Sequence, residues 1–152
     1  MEGEFTMESL TLDIANLIAD KALEKGRETG LAPLTVAILD AGGHLKLLKR
    51  GDGSSLLRPQ IATGKAWGVL GMGFGGRELA RRSAKAPIFF NALSDLSEGK
   101  MVPVPGGVII RSVAGDIIGS VGISGDLSEK DELCAVHGIK AAGLTPDTGD
   151  KE

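Results

Sequence analysis

Val36-Ala-Ile-Leu-Asp-Ala-Gly-Gly-His44, followed by Leu45-Lys-Leu-Leu-Lys-Arg50-Gly-Asp52, has the pattern of a β-hairpin. In the first predicted strand, 34–39, β-branched residues alternate with other small or polar residues. Gly42-Gly43 supplies the positive φ that a tight turn into the second strand, 45–49, requires. This segment therefore predicts an antiparallel strand pair.

A second glycine-rich segment, Pro103-Val-Pro-Gly106-Gly107-Val-Ile-Ile110, leads into another predicted hairpin. Its strands are predicted at 108–113 and 117–123, around the turn Ala114-Gly115-Asp116. Glycines in such hairpins leave backbone exposed where a flat ligand can approach. The pattern indicates where a ligand binds but not which one.

Apolar residues at helical spacing predict five helices around these hairpins. They are expected at Thr11–Arg27, from Pro59 through Leu70, at Arg77–Ala84, from Pro87 through Leu96, and from the capping-box sequence Ser128-Glu-Lys-Asp131 to Gly143. The predicted order is αββ-ααα-ββα. Hairpins separated by helices favour an α+β fold, with a central antiparallel sheet flanked by helices.

Composition narrows the classes of function. The chain has 152 residues and a net charge of −3, so it has no basic field for nucleic acid. Its one basic cluster, Arg77, Arg81, Arg82 and Lys85, is interpreted as a solvated helix face rather than an anion site. The single cysteine excludes an intrachain disulfide framework.

No apolar run is long enough to span a bilayer, and the chain starts Met-Glu-Gly-Glu without a leader pattern. We therefore expect a cytoplasmic protein with no membrane partner. The expected organisation is one domain at 11–144, between an N-terminal tail at 1–10 and a disordered C-terminal tail at 145–152.

Three charged side chains near the first hairpin are candidate site residues. His44 is one of two histidines, and it suits a haem or metal ligand, a general base, or a turn residue bonded to backbone. Arg50 and Asp52 suit either a ligand carboxylate site or a structural ion pair that fixes the loop.

Lys65 is a candidate because it shares a helical row with apolar residues. Its ammonium either reaches the helix edge or points into a cavity, where burial lowers its pKa and makes it useful in catalysis or anion binding. Pro105-Gly106-Gly107 combines a stiff residue with two that lack Cβ atoms. That loop suits an oxyanion or carboxylate cradle, or it only steers the chain into the next strand.

Cys134 and His137 are three residues apart on the last predicted helix and therefore share a face. This spacing allows both side chains to be ligands of one metal ion, although a structural zinc site needs about four ligands. The alternative is a buried cysteine beside a surface or interface histidine.

Several motifs in this order resemble one family. They are the 36–52 segment, Ile61-Ala-x-x-Lys65-Ala, Pro105-Gly-Gly-Val-Ile-Ile, Gly119-Ser-Val-Gly-Ile-Ser-Gly and Asp131-Glu-x-x-Ala135. Together they are similar to the haem-binding or haem-degrading HbpS-like family, also called GlcG-like and known as the C-terminal domain of PduO-type proteins. The resemblance runs from about Leu10 to Gly143.

The resemblance implies a profilin-like domain that assembles into homo-oligomers. By position, the segments that line the family's pocket contain His44, Arg50, Asp52, Lys65, and the loop Pro105, Gly106 and Gly107. His137 departs from the small or polar residue usual in relatives.

The leading hypothesis is an oligomeric domain that binds haem or a related planar anionic cofactor. His44 or His137 would be the iron ligand, and Arg50 and Lys65 would contact propionates. One alternative is a cofactor-independent enzyme that acts on a small carboxylate or aldehyde, with His44 or Lys65 as acid or base. Another is a non-catalytic accessory subunit.

Overall fold

A five-stranded antiparallel sheet with helices on both faces forms the protein, in a computed structural model that describes residues 8–150. The helices are α1 (Leu12–Glu28), α2 (Arg58–Met72), α3 (Gly76–Lys85), α4 (Pro87–Leu96) and α5 (Ser128–Ala141). The strands are β1 (Thr35–Asp40), β2 (Leu45–Arg50), β3 (Gly107–Arg111), β4 (Ile117–Ser124) and β5 (Thr145–Asp147). The predicted α+β class is confirmed.

The sheet order is β2-β1-β4-β3-β5, so the two predicted hairpins lie side by side through the β1–β4 pair. Because successive side chains of a strand point to opposite faces of the sheet, the two faces pack against two separate apolar cores. Val36 and Ile38 belong to the core beneath α1 and α5. Ile109 belongs to the smaller core beneath α2, α3 and α4.

Helix α2 packs almost directly onto the sheet backbone because glycines face it. A Cβ atom at Gly122 would overlap the carbonyl oxygen of Ala62, and one at Gly107 would overlap that of Lys65. The Ser120 hydroxyl donates to the Ala66 carbonyl at 2.7 Å across this contact. The small residues of β4 and β3 thus set how closely α2 approaches.

The predicted disordered tail is corrected where the structure describes it, through residue 150. Thr145–Asp147 forms an edge strand against β3, and the Arg111 guanidinium donates to Asp147 at 2.9 Å. A three-residue strand is too short to show alternation, and Pro146 is tolerated because the strand lies at the sheet edge.

At the other end, Leu10 is buried in the α1/α5 core although it was assigned to the N-terminal tail. Residues 1–7 and 151–152 of the predicted tails lie outside the described residues.

The three arginine side chains of α3 form ion pairs. Arg77 donates to buried Glu132 of α5, with 2.7 Å between Nη2 and Oε1. This contact differs from the prediction that the whole basic cluster is a solvated face. Arg81 and Arg82 pair with Glu78 and stay about half exposed, as predicted. The arginine charges of this face are therefore paired with carboxylates of the same chain.

Among residues 8–150, no helix combines the length and apolar character needed to cross a membrane.

Gly122→Ala tests the close approach of α2. We expect a loss of about 3 kcal/mol in the free energy of unfolding, or no cooperative transition, because the added methyl group displaces the helix. Gly30→Ala is the control. Gly30 has φ of 70° and no atom within 4 Å of the new methyl group, so only backbone strain of about 1 kcal/mol is expected. Urea denaturation measures both variants, and equal losses would contradict the packing argument.

Candidate functional site

Lys65 lies inside the protein, with 3% of its surface exposed. Its ammonium donates to the carbonyl of Ile123 at 2.8 Å and lies 3.3 Å from a carboxylate oxygen of Asp131. The side chain therefore does not reach the helix edge, which was one of the two predicted positions. It joins α2 to the end of β4 and the start of α5.

Burial changes both members of this ion pair. Loss of water lowers the pKa of Lys65 and raises that of Asp131, while each partner opposes the shift of the other. The second Asp131 oxygen accepts the N–H of Asp126 at 2.9 Å. Polar contacts on both oxygens thus hold a carboxylate that is fully buried.

Apart from its place in the family motif Asp131-Glu-x-x-Ala135, Asp131 was predicted as part of a capping box with Ser128. In the structure Leu127 caps α5 without a side-chain hydrogen bond, and Ser128 is already helical. The Asp131 side chain instead turns toward the loop before the helix. Its partner Lys65 is 66 residues away in the chain, so no local spacing indicated the pair.

The predicted glycine loop does meet Lys65. Gly106 has φ of 112°, and a Cβ atom there would lie 2.8 Å from the Lys65 ammonium nitrogen. The Gly106 carbonyl accepts the N–H of Ile123 at 3.0 Å, and Gly107 starts β3. Pro105 is half-buried beside them. These contacts favour the chain-steering interpretation of the loop.

Arg50 and Asp52 are exposed and do not join the Lys65 cluster. Arg50 ends β2 opposite Thr35, while Asp52 lines a shallow groove with Leu23 and Arg27 of α1. The alternative of a mutual ion pair is not seen either, since no contact within 4 Å joins Arg50 and Asp52.

His44 lies at the other end of β2 from Arg50. Six residues of extended strand separate them by about 20 Å. Gly106 and Gly107 lie at the start of β3, with β1 and β4 between them and β2. Within one chain, the predicted convergence of residues 44, 50, 106 and 107 on one pocket does not occur.

The His44 imidazole is fixed by Asp40. Its Nδ1 atom lies 3.2 Å from Asp40 Oδ1, and the backbone N–H groups of His44 and Gly42 donate to the same oxygen at 3.0 Å. Burial opposes ionisation of Asp40, but these hydrogen bonds and the nearby imidazole outweigh it and lower the pKa of the carboxyl. An ionised Asp40 accepts a hydrogen bond from the Nδ1–H group of His44, so the free lone pair of the imidazole is on Nε2.

A groove of about 510 Å³ begins at Gly43, the residue before His44. We call it the α2 groove. It is lined by Gly43, Pro59, Gln60, Thr63, Gly64, Trp67, Gly99 and Lys100. The Lys100 ammonium lies 6.0 Å from the centre of the Trp67 ring, so the groove offers an aromatic wall and a cation.

Neither Trp67 nor Lys100 is among the site residues predicted from the sequence. Trp67 is the only tryptophan of the chain and follows Gln60 and Thr63 on the outer row of α2, a signal that was available.

His137 lines a separate groove of about 400 Å³ between α1 and α5, the α1/α5 groove. It is lined by Lys25, Thr29, Leu31, Lys130, Leu133, Cys134, Val136, His137 and Lys140. Burial raises the pKa of the Cys134 thiol to about 11, so this sulfur is protonated at neutral pH. Residues 8–150 contain no group of three or more His, Cys, Asp and Glu side chains placed to hold a metal ion. The Cys134–His137 pair therefore lacks the further ligands of a metal centre.

Comparison with known proteins identifies relatives. The family model described as haem degrading protein HbpS-like matches residues 10–140. No curated protein matches the chain at a significant level.

Among solved structures, the crystal structure of a PduOC:heme complex is similar, with a TM-score of 0.80 and 27% sequence identity over 94% of this chain and 100% of that chain. The crystal structure of HbpS has a TM-score of 0.77 and 29% identity, over 93% of this chain and 96% of that chain. Klebsiella pneumoniae protein ORFY shares the fold, with a TM-score of 0.80 and 24% identity over 94% and 97% of the two chains.

Lys65→Met tests the buried ion pair. We expect the free energy of unfolding to fall by about 3–5 kcal/mol at pH 7, because the variant leaves Asp131 ionised and unpaired inside the protein. Without the ammonium, which lowers the pKa of Asp131, that pKa rises further above its unfolded value. At pH values between the unfolded and folded pKa of Asp131, the folded variant binds more protons than its unfolded chain. Its free energy of unfolding therefore recovers as pH falls from 7 toward 5.

The control for this experiment is Lys65→Met with Asp131→Asn, which removes both charges but keeps an acceptor for Asp126. Its loss should be smaller than that of the single variant and nearly independent of pH. Urea denaturation at several pH values measures the free energies. A deficit of the single variant that stays constant between pH 7 and pH 5 would refute the ion-pair argument.

Proposed function

This chain belongs to the HbpS-like family of haem-degrading proteins, and from that premise we propose that it binds haem, with His44 as the iron ligand. A haem-related ligand agrees with the family and with the similar PduOC:heme complex. The observation in this chain that carries the assignment is the Asp40–His44 pair, whose histidine follows Gly43, a lining residue of the α2 groove.

The donor set around His44 fits haem. The imidazole is 82% exposed and its Nδ1 is bonded to Asp40, so Nε2 is the nitrogen that would hold the iron. Ligating histidines in proteins commonly donate their other N–H to a carboxylate, which fixes the tautomer and raises basicity. Bound haem would supply an iron centre with at least one further coordination position.

Other contacts to the ligand come from the α2 groove in this proposal. Trp67 presents an aromatic face to a planar macrocycle, and Lys100 supplies a cation for a propionate. Arg50 was expected to contact propionates, but about 20 Å of strand separates it from His44 in one chain. Lys65 is bonded to Asp131 and Ile123 and points away from solvent.

The enzymatic alternative with Lys65 as acid or base has less support. A proton-transfer group must reach a substrate, whereas the Lys65 ammonium is enclosed and already paired. Homo-oligomeric assembly and a cytoplasmic location stay predictions.

His44→Ala tests the iron ligand. We expect wild-type protein to shift the Soret band of added haem and His44→Ala to lose that shift, because the variant has no Nε2 donor at the groove. His137→Ala is a matched control, since it removes the other histidine of the chain and should keep the wild-type spectrum. Titrations with haem, followed by absorbance, measure both. A shift that survives in His44→Ala and disappears in His137→Ala would move the ligand to the α1/α5 groove, and no shift in the wild type would reject haem binding.

Asp40→Asn tests the supporting carboxylate. The asparagine keeps the size of the side chain but removes the charge that stabilises the Nδ1 proton, so haem affinity should fall by about tenfold. The free variant should keep its fold, which far-ultraviolet circular dichroism verifies. Unchanged affinity would mean that Asp40 only shapes the hairpin turn.

A further inference from the structure

The α1/α5 groove combines a cationic rim with an apolar floor. Lys25, Lys130, Lys140 and His137 line it, and no aspartate or glutamate does, in a chain whose net charge is −3. We propose that this groove is a second binding site, which takes a small organic anion with an apolar body, such as an alkyl carboxylate. The inference is independent of haem binding at His44.

Helix α5 spaces these groups along one face. Lys130, Leu133, His137 and Lys140 follow one another at intervals of three and four residues, so they form one row. The ten residue steps from Lys130 to Lys140 span about 15 Å of helix. The groove therefore offers a cation near each end and an apolar side chain between them.

The lysine charges are available to a ligand. Among residues 8–150, no carboxylate lies within 4 Å of the ammonium of Lys25, Lys130 or Lys140. The charge of Lys130 helps to lower the pKa of Asp126, but the Asp126 carboxylate already accepts the N–H groups of Ala32 and Leu127. An anion in the groove would thus find unpaired cations rather than displace internal partners.

The apolar floor calls for more than an inorganic anion. Leu133 is 63% exposed in the middle of the row, and Leu31 and Val136 are half-buried beside it. Cys134 adds a neutral thiol, because burial keeps it protonated at neutral pH. Lysine ammonium groups bind carboxylates as point charges, while a hydrocarbon chain removes Leu133 and Val136 from water.

Octanoate is the probe, with inorganic phosphate and 1-octanol as matched probes for the anion alone and the apolar body alone. Isothermal titration calorimetry on the folded protein should give a binding isotherm for octanoate and much weaker responses for the other two. Lys130→Gln with Lys140→Gln should weaken octanoate by about tenfold, through loss of both end charges. Lys46→Gln with Lys85→Gln makes the same change in net charge elsewhere and should leave the affinity unchanged.

The titration is repeated in His44→Ala, so that failure of the haem proposal does not affect it. Equal octanoate affinity in wild type and His44→Ala supports the second site. The proposal is overturned if octanoate does not bind, if phosphate binds as tightly, or if both lysine pairs weaken octanoate equally. It is also overturned if sedimentation shows dimers that Leu133→Ser dissociates, since a second copy would then cover the groove.

Discussion

The contact between α2 and the sheet backbone determines where everything else lies. Because Gly107 and Gly122 have no side chains, α2 approaches β3 and β4 closely enough for its Lys65 to pass into the interior. There the ammonium meets the Ile123 carbonyl and the Asp131 carboxylate. One side chain thus ties together a helix, the end of a central strand and the start of α5.

A buried ion pair is a poor source of net stability, because desolvation of two charges offsets most of their attraction. The contribution of this ion pair is to position the elements that it joins. Asp131 also accepts the N–H of Asp126, so the pair fixes the turn between β4 and α5 as well as the register of α2. Apolar residues of similar volume would fill the same space but would leave the Ile123 carbonyl and the Asp126 N–H without these partners.

The sequence predicted the two hairpins and five helices because their signals are local. Alternation, the Gly42-Gly43 turn and Pro59 in the first turn of α2 each depend on neighbouring residues. The site was less predictable. Lys65 was singled out for its apolar row, but its partner Asp131 is distant in sequence and resembled a capping residue. Asp40 stands four residues before His44, so the hydrogen bond between them is a local feature of the turn that the sequence could have predicted.

Within one chain, the predicted single pocket does not form, for a topological reason. A hairpin places its turn at one end and the outer ends of both strands at the other, so His44 and Arg50 cannot meet within one β-ribbon. The sheet then separates the remaining candidates, since α2 covers one face and α1 with α5 cover the opposite face. A ligand bound beside Trp67 and one bound beside His137, as proposed, would therefore lie on opposite sides of the sheet. The strands between these two proposed sites are the ones on which α2 packs closely through Gly107 and Gly122.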